Sequence, residues 1–217
     1  MTGLEDRCRL VLIVPEGDDA SEIARQLEEA LSGGDVASVI LPQYGLDDQA
    51  FQKRAETLVP IVQAAGAAAL IAGDSRVAGR VKADGLHLAG MLTELEEAIG
   101  KFVPKLIVGA GGAADRHQAL EIGELRPDYI FFGKLDGDIK PEAHPKNLAL
   151  GEWWASMVEI PCIVMGGSDP VSALAVAETG AEFAALRAAV FSNPKGAAAV
   201  VAEVNAILDE KAPRFEA

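Results

Sequence analysis

The sequence predicts a single α/β domain folded as a closed (β/α)8 barrel, on two observations. Eight short apolar runs suited to buried parallel strands alternate with stretches of helical spacing along 217 residues. A corner motif also returns three times. Ala83-Asp84-Gly85-Leu86, Pro127-Asp128-Tyr129-Ile130 and Ala181-Glu182-Phe183-Ala184 each set a small residue and an acid before an apolar strand. The interval is roughly 45–55 residues, or about two βα units. A doubly wound open sheet is the runner-up, but it usually needs only about five or six strands.

Taken in order, Arg9 to Val14 is the first strand, broken by Pro15-Glu16-Gly17-Asp18. Ser21 to Leu31 puts Ile23, Leu27, Ala30 and Leu31 on one helical face, and Gly33-Gly34 closes it. Val36 to Leu41 is a strand ended by Pro42, and Asp47 to Ala65 is a helical stretch expected to be interrupted near Pro60. Strands follow at Ala67–Ala72, Gly85–Leu88, Lys105–Val108 and Tyr129–Phe132, with helices at Arg76–Val81, Leu92–Ile99 and Asp115–Leu125 between them. Gly109 to Gly112 reads as a glycine-rich turn, and Gly133 to Lys146 as a long polar loop. Leu148 to Val158 is a helix carrying Trp153 and Trp154, which pack either on the barrel or against a second copy in a homodimer. Strand seven, its helix, strand eight at Phe183–Leu186 and a terminal helix at Lys195–Glu210 complete the barrel, leaving Lys211–Ala217 as a loose tail.

Composition narrows the function. A net charge of −14 speaks against nucleic acid and anionic membrane as partners, since both need a basic face. It is compatible with a small phosphorylated ligand held by a few local cations. Cys8 and Cys162 are isolated, with no metal-type spacing, and read as reduced buried thiols. The apolar run Leu10–Val14 is too short for a signal-peptide core or a membrane span, so a cytoplasmic protein is expected.

Strand seven carries the most suggestive stretch. Ile163-Val164-Met165 ends at Gly166-Gly167, and Asp169-Pro170 then suits an N-cap and first helical residue. Strand, diglycine and helix start together suit a phosphate seat, or simply a tightly packed βα turn. Phosphate sites in this architecture commonly follow strands seven and eight, which adds Ala188 and Ala189 to Gly166 and Gly167. Asp74, directly after strand three, suits either a Mg²⁺ ligand or the cap of the next helix. Asp136 or Asp138 supplies a second carboxylate if the loop after strand six folds inward. Lys134, Lys140 and Lys146 on that loop are anion clamps or solvated charges, Lys140 standing out between Ile139 and Pro141. His87, between Leu86 and Leu88, reads as a packed, hydrogen-bonded histidine. No P-loop or dinucleotide fingerprint is present.

These residues, in this order, resemble the thiamine phosphate synthase family, which includes the thiazole tautomerases. The resemblance rests on Asp74, Ala83-Asp84-Gly85-Leu86-His87-Leu88, Pro127 to Gly133, Val164 to Gly167 and Gly180-Ala181-Glu182, and it covers most of the chain. It implies a barrel that joins a hydroxymethylpyrimidine diphosphate to a thiazole phosphate with Mg²⁺, releasing pyrophosphate. By resemblance Gly166, Gly167, Ala188 and Ala189 hold phosphate, Lys140 is the catalytic loop lysine and Asp74 the metal aspartate. The diphosphate side departs from the family pattern. Ile40, Pro42 and Tyr44 stand where the family has Gln, Arg and Lys; Gly73 replaces an Asn, Leu92 the second metal aspartate and Gly111 a serine. A diphosphate leaving group carries about three negative charges and needs cations aimed at it, so weak or absent turnover is expected. A non-catalytic or repurposed phosphate-binding barrel is the alternative.

Overall fold

Strands that are apolar on both faces need cover on both, and closing the sheet provides it. The computed structural model describes residues 6–215. Its strands are β1 (Arg9–Ile13), β2 (Ser38–Pro42), β3 (Ala68–Ala72), β4 (Gly85–Leu88), β5 (Ile107–Ala110), β6 (Tyr129–Phe132), β7 (Cys162–Met165) and β8 (Phe183–Leu186). All pair in parallel with their sequence neighbours, and β8 returns to β1 in the register Arg9–Phe183 to Leu12–Leu186, closing the barrel.

The helices on the outside are α1 (Ala20–Ser32), α2 (Asp48–Ala64), α3 (Ser75–Val81), α4 (Leu92–Phe102), α5 (Arg116–Glu124), α6 (Pro145–Ala155), α7 (Ser172–Ala177), α8 (Ala188–Phe191) and α9 (Ala197–Lys211). Alternate strand residues fill the bore, among them Val11, Ile13, Ile40, Leu70, Phe131, Ile163 and Met165. Their neighbours, such as Leu10, Leu12, Val39, Ile71 and Val164, join the larger shell under the helices.

The repeated corner has a shared mechanism. Asp84 accepts the Ala69 amide proton at 2.8 Å, Asp128 that of Val108 at 2.7 Å, and Glu182 that of Cys162 at 2.8 Å. Each acid, placed just before an even-numbered strand, thus ties the start of the strand preceding it. Asp35 does the same work before β2 by taking the Arg9 side chain at 2.7 and 2.9 Å.

Several local expectations change. Gly109 belongs to β5 rather than to a turn, because the Tyr129 ring occupies the space beside it: a Cβ there would sit 1.9 Å from Tyr129 Cζ. The turn starts at Gly111. Pro60 does not interrupt α2, since it is exposed while Leu58, Val59 and Val62 bury the other face. Helix α6 starts earlier than expected, at Pro145, with His144 accepting the Lys146 amide proton at 3.1 Å. Asp169 caps an entry turn through the Val171 amide at 2.9 Å, and regular α7 begins only at Ser172. The tail is docked as far as Phe215, whose amide donates to Asp6 at 2.7 Å, while Arg214 bridges to Arg7; residues 216–217 lie outside the described residues.

Both tryptophans pack on their own chain. Trp154 is buried and donates to the Ile160 carbonyl at 2.7 Å, and Trp153 stacks under Arg116. The two cysteines are buried, and loss of hydration pushes the Cys8 thiol up to about 12. No helix among the described residues is long and apolar enough to cross a membrane.

Candidate active site

The strand C-termini form one rim of the barrel, and the residues predicted for chemistry collect there. Its floor is a polar pair. His87 on β4 and Tyr129 on β6 both point into the bore, with Nδ1 and the phenol oxygen 2.9 Å apart. Gly109 leaves the room for the Tyr129 ring, and Phe131 meets His87 edge-on at 5.4 Å. Burial holds His87 neutral, down to about 4, and pushes the Tyr129 phenol up, so it stays protonated. The neutral ring and the phenol share this one hydrogen bond, the tautomer deciding which of them donates. Nε2 faces Gly111, where a side chain would begin 3.0 Å away. The packed, hydrogen-bonded reading of His87 holds, with Tyr129 as the partner.

The β6, β7 and β8 ends make a second cluster. Asp138 is buried, as expected if its loop folds inward, but it turns to β8 and not to Asp74. It accepts from Arg187 Nε at 3.0 Å and Nη2 at 2.6 Å, and from the Ala188 amide at 2.5 Å. Beside this pair, Tyr44 adopts a left-handed backbone (φ 50°) that carries its hydroxyl across to the Val14 carbonyl at 2.7 Å. Burial raises the Tyr44 phenol, and the neighbouring Arg187 opposes that rise.

Three of the four amides expected to cradle phosphate are already engaged. Gly166 donates to Ala185, Gly167 to Ser172 Oγ at 2.9 Å, and Ala188 to Asp138. Ala189 is buried in α8. The diglycine serves close packing, because a Cβ on Gly167 would lie 2.0 Å from the Pro141 carbonyl oxygen. The loop is pinned there: Ser168 donates to Lys140 O at 2.8 Å and Asp169 to Pro141 O at 3.1 Å. Lys140 therefore contributes its carbonyl to the rim, and its side chain is exposed.

The β3 end carries a third cluster. Asp74 caps α3 by accepting from the Arg76 amide at 2.7 Å, and the Arg76 guanidinium grips both its oxygens. Those Arg76 contacts hold the Asp74 carboxyl below the usual range. Asp48 stands 3.8 Å from the same guanidinium, and Gln43 donates to Asp48 at 3.0 Å. The residues do not fit a Mg²⁺ site. Both Asp74 oxygens are occupied by Arg76, Leu92 offers no second ligand, and no group of three or more His, Cys, Asp or Glu converges among the described residues. An adjacent cavity of ≈ 310 Å³ is lined by Glu94 and Glu97 against Lys101, a poor match for a diphosphate. Neither Arg187 nor Arg76 sits in a sequence motif that announces its partner.

The comparisons agree with this architecture. A family model described as thiamine monophosphate synthase matches residues 10–190. A thiamine-phosphate synthase of Rhodospirillum centenum is 35% identical over 205 residues, covering 93% of this chain and 98% of the relative. One of Hyphomonas neptunium is 34% identical over 212 residues, covering 95% and 96%. Among solved structures, the thiamine phosphate pyrophosphorylase from Pyrococcus furiosus superposes with a TM-score of 0.78 at 23% identity, covering 96% of this chain and 98% of that one.

Proposed function

The chain belongs to the thiamine monophosphate synthase family, and from that premise we propose that it performs the family's condensation slowly. In that reaction the bond from the pyrimidine methylene carbon to the diphosphate oxygen breaks, and pyrophosphate leaves with the electron pair. The thiazole nitrogen then donates its lone pair to the methylene cation. His87 and Tyr129 form the floor on which the pyrimidine ring seats, with Nε2 as the ring nitrogen left free of Tyr129. Asp138 keeps Arg187 and the Ala188 amide, so the thiazole seats at the β8 end without those two donors for its phosphate. Ala189, Gly166 and Gly167 shape that end, and Lys140 supplies an exposed cation from the loop.

Departure of the diphosphate is the difficult step. The observation that carries the slow rate is the make-up of the β2 and β4 ends, where Pro42 and Tyr44 supply no cation and Leu92 no second carboxylate beside Asp74. Mg²⁺ is what family membership implies, yet this donor set offers it little, and no step here runs through it. Missing one charge-stabilising contact costs on the order of 10²–10³ in rate, and several are missing. The test is direct: purified protein, both substrates and Mg²⁺, with thiamine phosphate quantified over time. Turnover far below that of a relative with the full cation set is expected. Fast turnover abolished by Asp74→Ala would overturn the reading.

A further inference from the structure

The β8 end of the rim holds an oxyanion that is part of the chain. The Asp138 side chain has 0% exposure, and its two oxygens take one guanidinium and one backbone amide. Those are the donors a phosphate oxygen takes. The carboxylate cannot move aside alone, because the next residues are fastened to the β7 loop through Lys140 and Pro141. Arg187 also donates to the Asp136 carbonyl at 3.4 Å, holding the loop from its other side.

Charge then decides what else fits. A phosphate monoester carries about −1.5 to −2 at pH 7. Beside an ionised Asp138 it would share a single guanidinium with a like charge in a place shielded from water. We propose that Asp138 is a specificity-determining residue. Its carboxylate fills the oxyanion place at the end of β8 and cancels the barrel's preference for an acceptor bearing a phosphate over the same acceptor without one. The identity of the acceptor as a thiazole rests on the function proposed above; the filled anion place does not.

Calorimetric titration of the intact protein tests this with three probes: inorganic phosphate, thiazole phosphate and the thiazole alcohol. The wild type is expected to bind the phosphate and the alcohol of the thiazole with similar affinity, and to give no heat with millimolar inorganic phosphate. Asp138→Asn keeps the shape and removes the charge. It is expected to gain about tenfold or more for both phosphate-bearing probes and nothing for the alcohol. Adding Arg187→Gln to Asp138→Asn is expected to erase that gain. A wild-type preference of tenfold for thiazole phosphate over the alcohol would overturn the proposal, as would a folded Asp138→Asn with no gain. If neither thiazole binds any variant, the acceptor reading fails, and inorganic phosphate still judges the role of Asp138. Should Asp138→Asn not fold, the wild-type titrations alone decide: tight inorganic phosphate refutes the proposal and its absence supports it.

Discussion

Two arginine–carboxylate pairs stand on the same rim, and burial separates them. Asp74 and Arg76 lie after β3 with side chains 25% and 72% exposed, whereas Asp138 and Arg187 meet beside β8 at 0% and 19%. Water screens the first pair, so its net worth is small and its members exchange partners readily. The second pair has lost most of its hydration, and each ion depends on the other. The same chemistry therefore makes a movable cover after β3 and a fixed filling beside β8.

Breaking the buried pair should have the largest effect. Arg187→Ala strands a buried carboxylate and is expected to cost about 3–5 kcal/mol in urea unfolding. The Asp138→Asn, Arg187→Gln double variant should lose less than Arg187→Ala, because no lone charge remains. A loss under about 1 kcal/mol for Arg187→Ala would put this pair in the same class as the exposed one.

The floor gives a pH signature independent of both pairs. His87 titrates near 6.5 unfolded and about 4 folded, so between those values the unfolded chain binds the extra proton. Stability should thus fall by roughly 3 kcal/mol as pH drops from 6.5 to 4, and His87→Gln should flatten that slope. Urea midpoints across this range check it.

Gly167→Ala acts as a wedge under the buried pair's loop. The new Cβ meets the Pro141 backbone at 2.0 Å, and overpacking of this kind costs about 1–3 kcal/mol. Amide exchange should accelerate at Ser168 and Asp169, whose bonds fasten the loop, and not at Arg76. The smallest effect belongs to the exposed pair: Asp74→Ala removes a helix cap worth about 1 kcal/mol. Because the Asp74 carboxyl lies below its usual 3.8, its contribution is full above that value and fades as pH falls through the lowered one. Molar salt should weaken the Asp74–Arg76 contact and leave Asp138–Arg187 largely intact.

How far the sequence reached follows the same division between local and distant. The strands were legible because burial on both faces leaves continuous apolar runs, and the corner acids because each lies next to the strand it precedes. Asp74 as a helix cap was readable for the same reason, its partner being two residues away. The Asp138–Arg187 pair joins residues 49 apart, and no spacing rule links them. Asp136 or Asp138 offered a second carboxylate only if the loop after β6 folded inward; it does, and the always charged Arg187 claims Asp138. Gly109 looked like a turn because glycine usually marks one, while here it makes room for the ring of Tyr129, its partner on the neighbouring strand.

A crystal structure of the protein grown from concentrated phosphate tests the filled rim most directly. The account predicts that the Asp138 carboxylate remains on Arg187 and the Ala188 amide, with no oxyanion between them. Phosphate density on those two donors, with Asp138 turned to solvent, would contradict it.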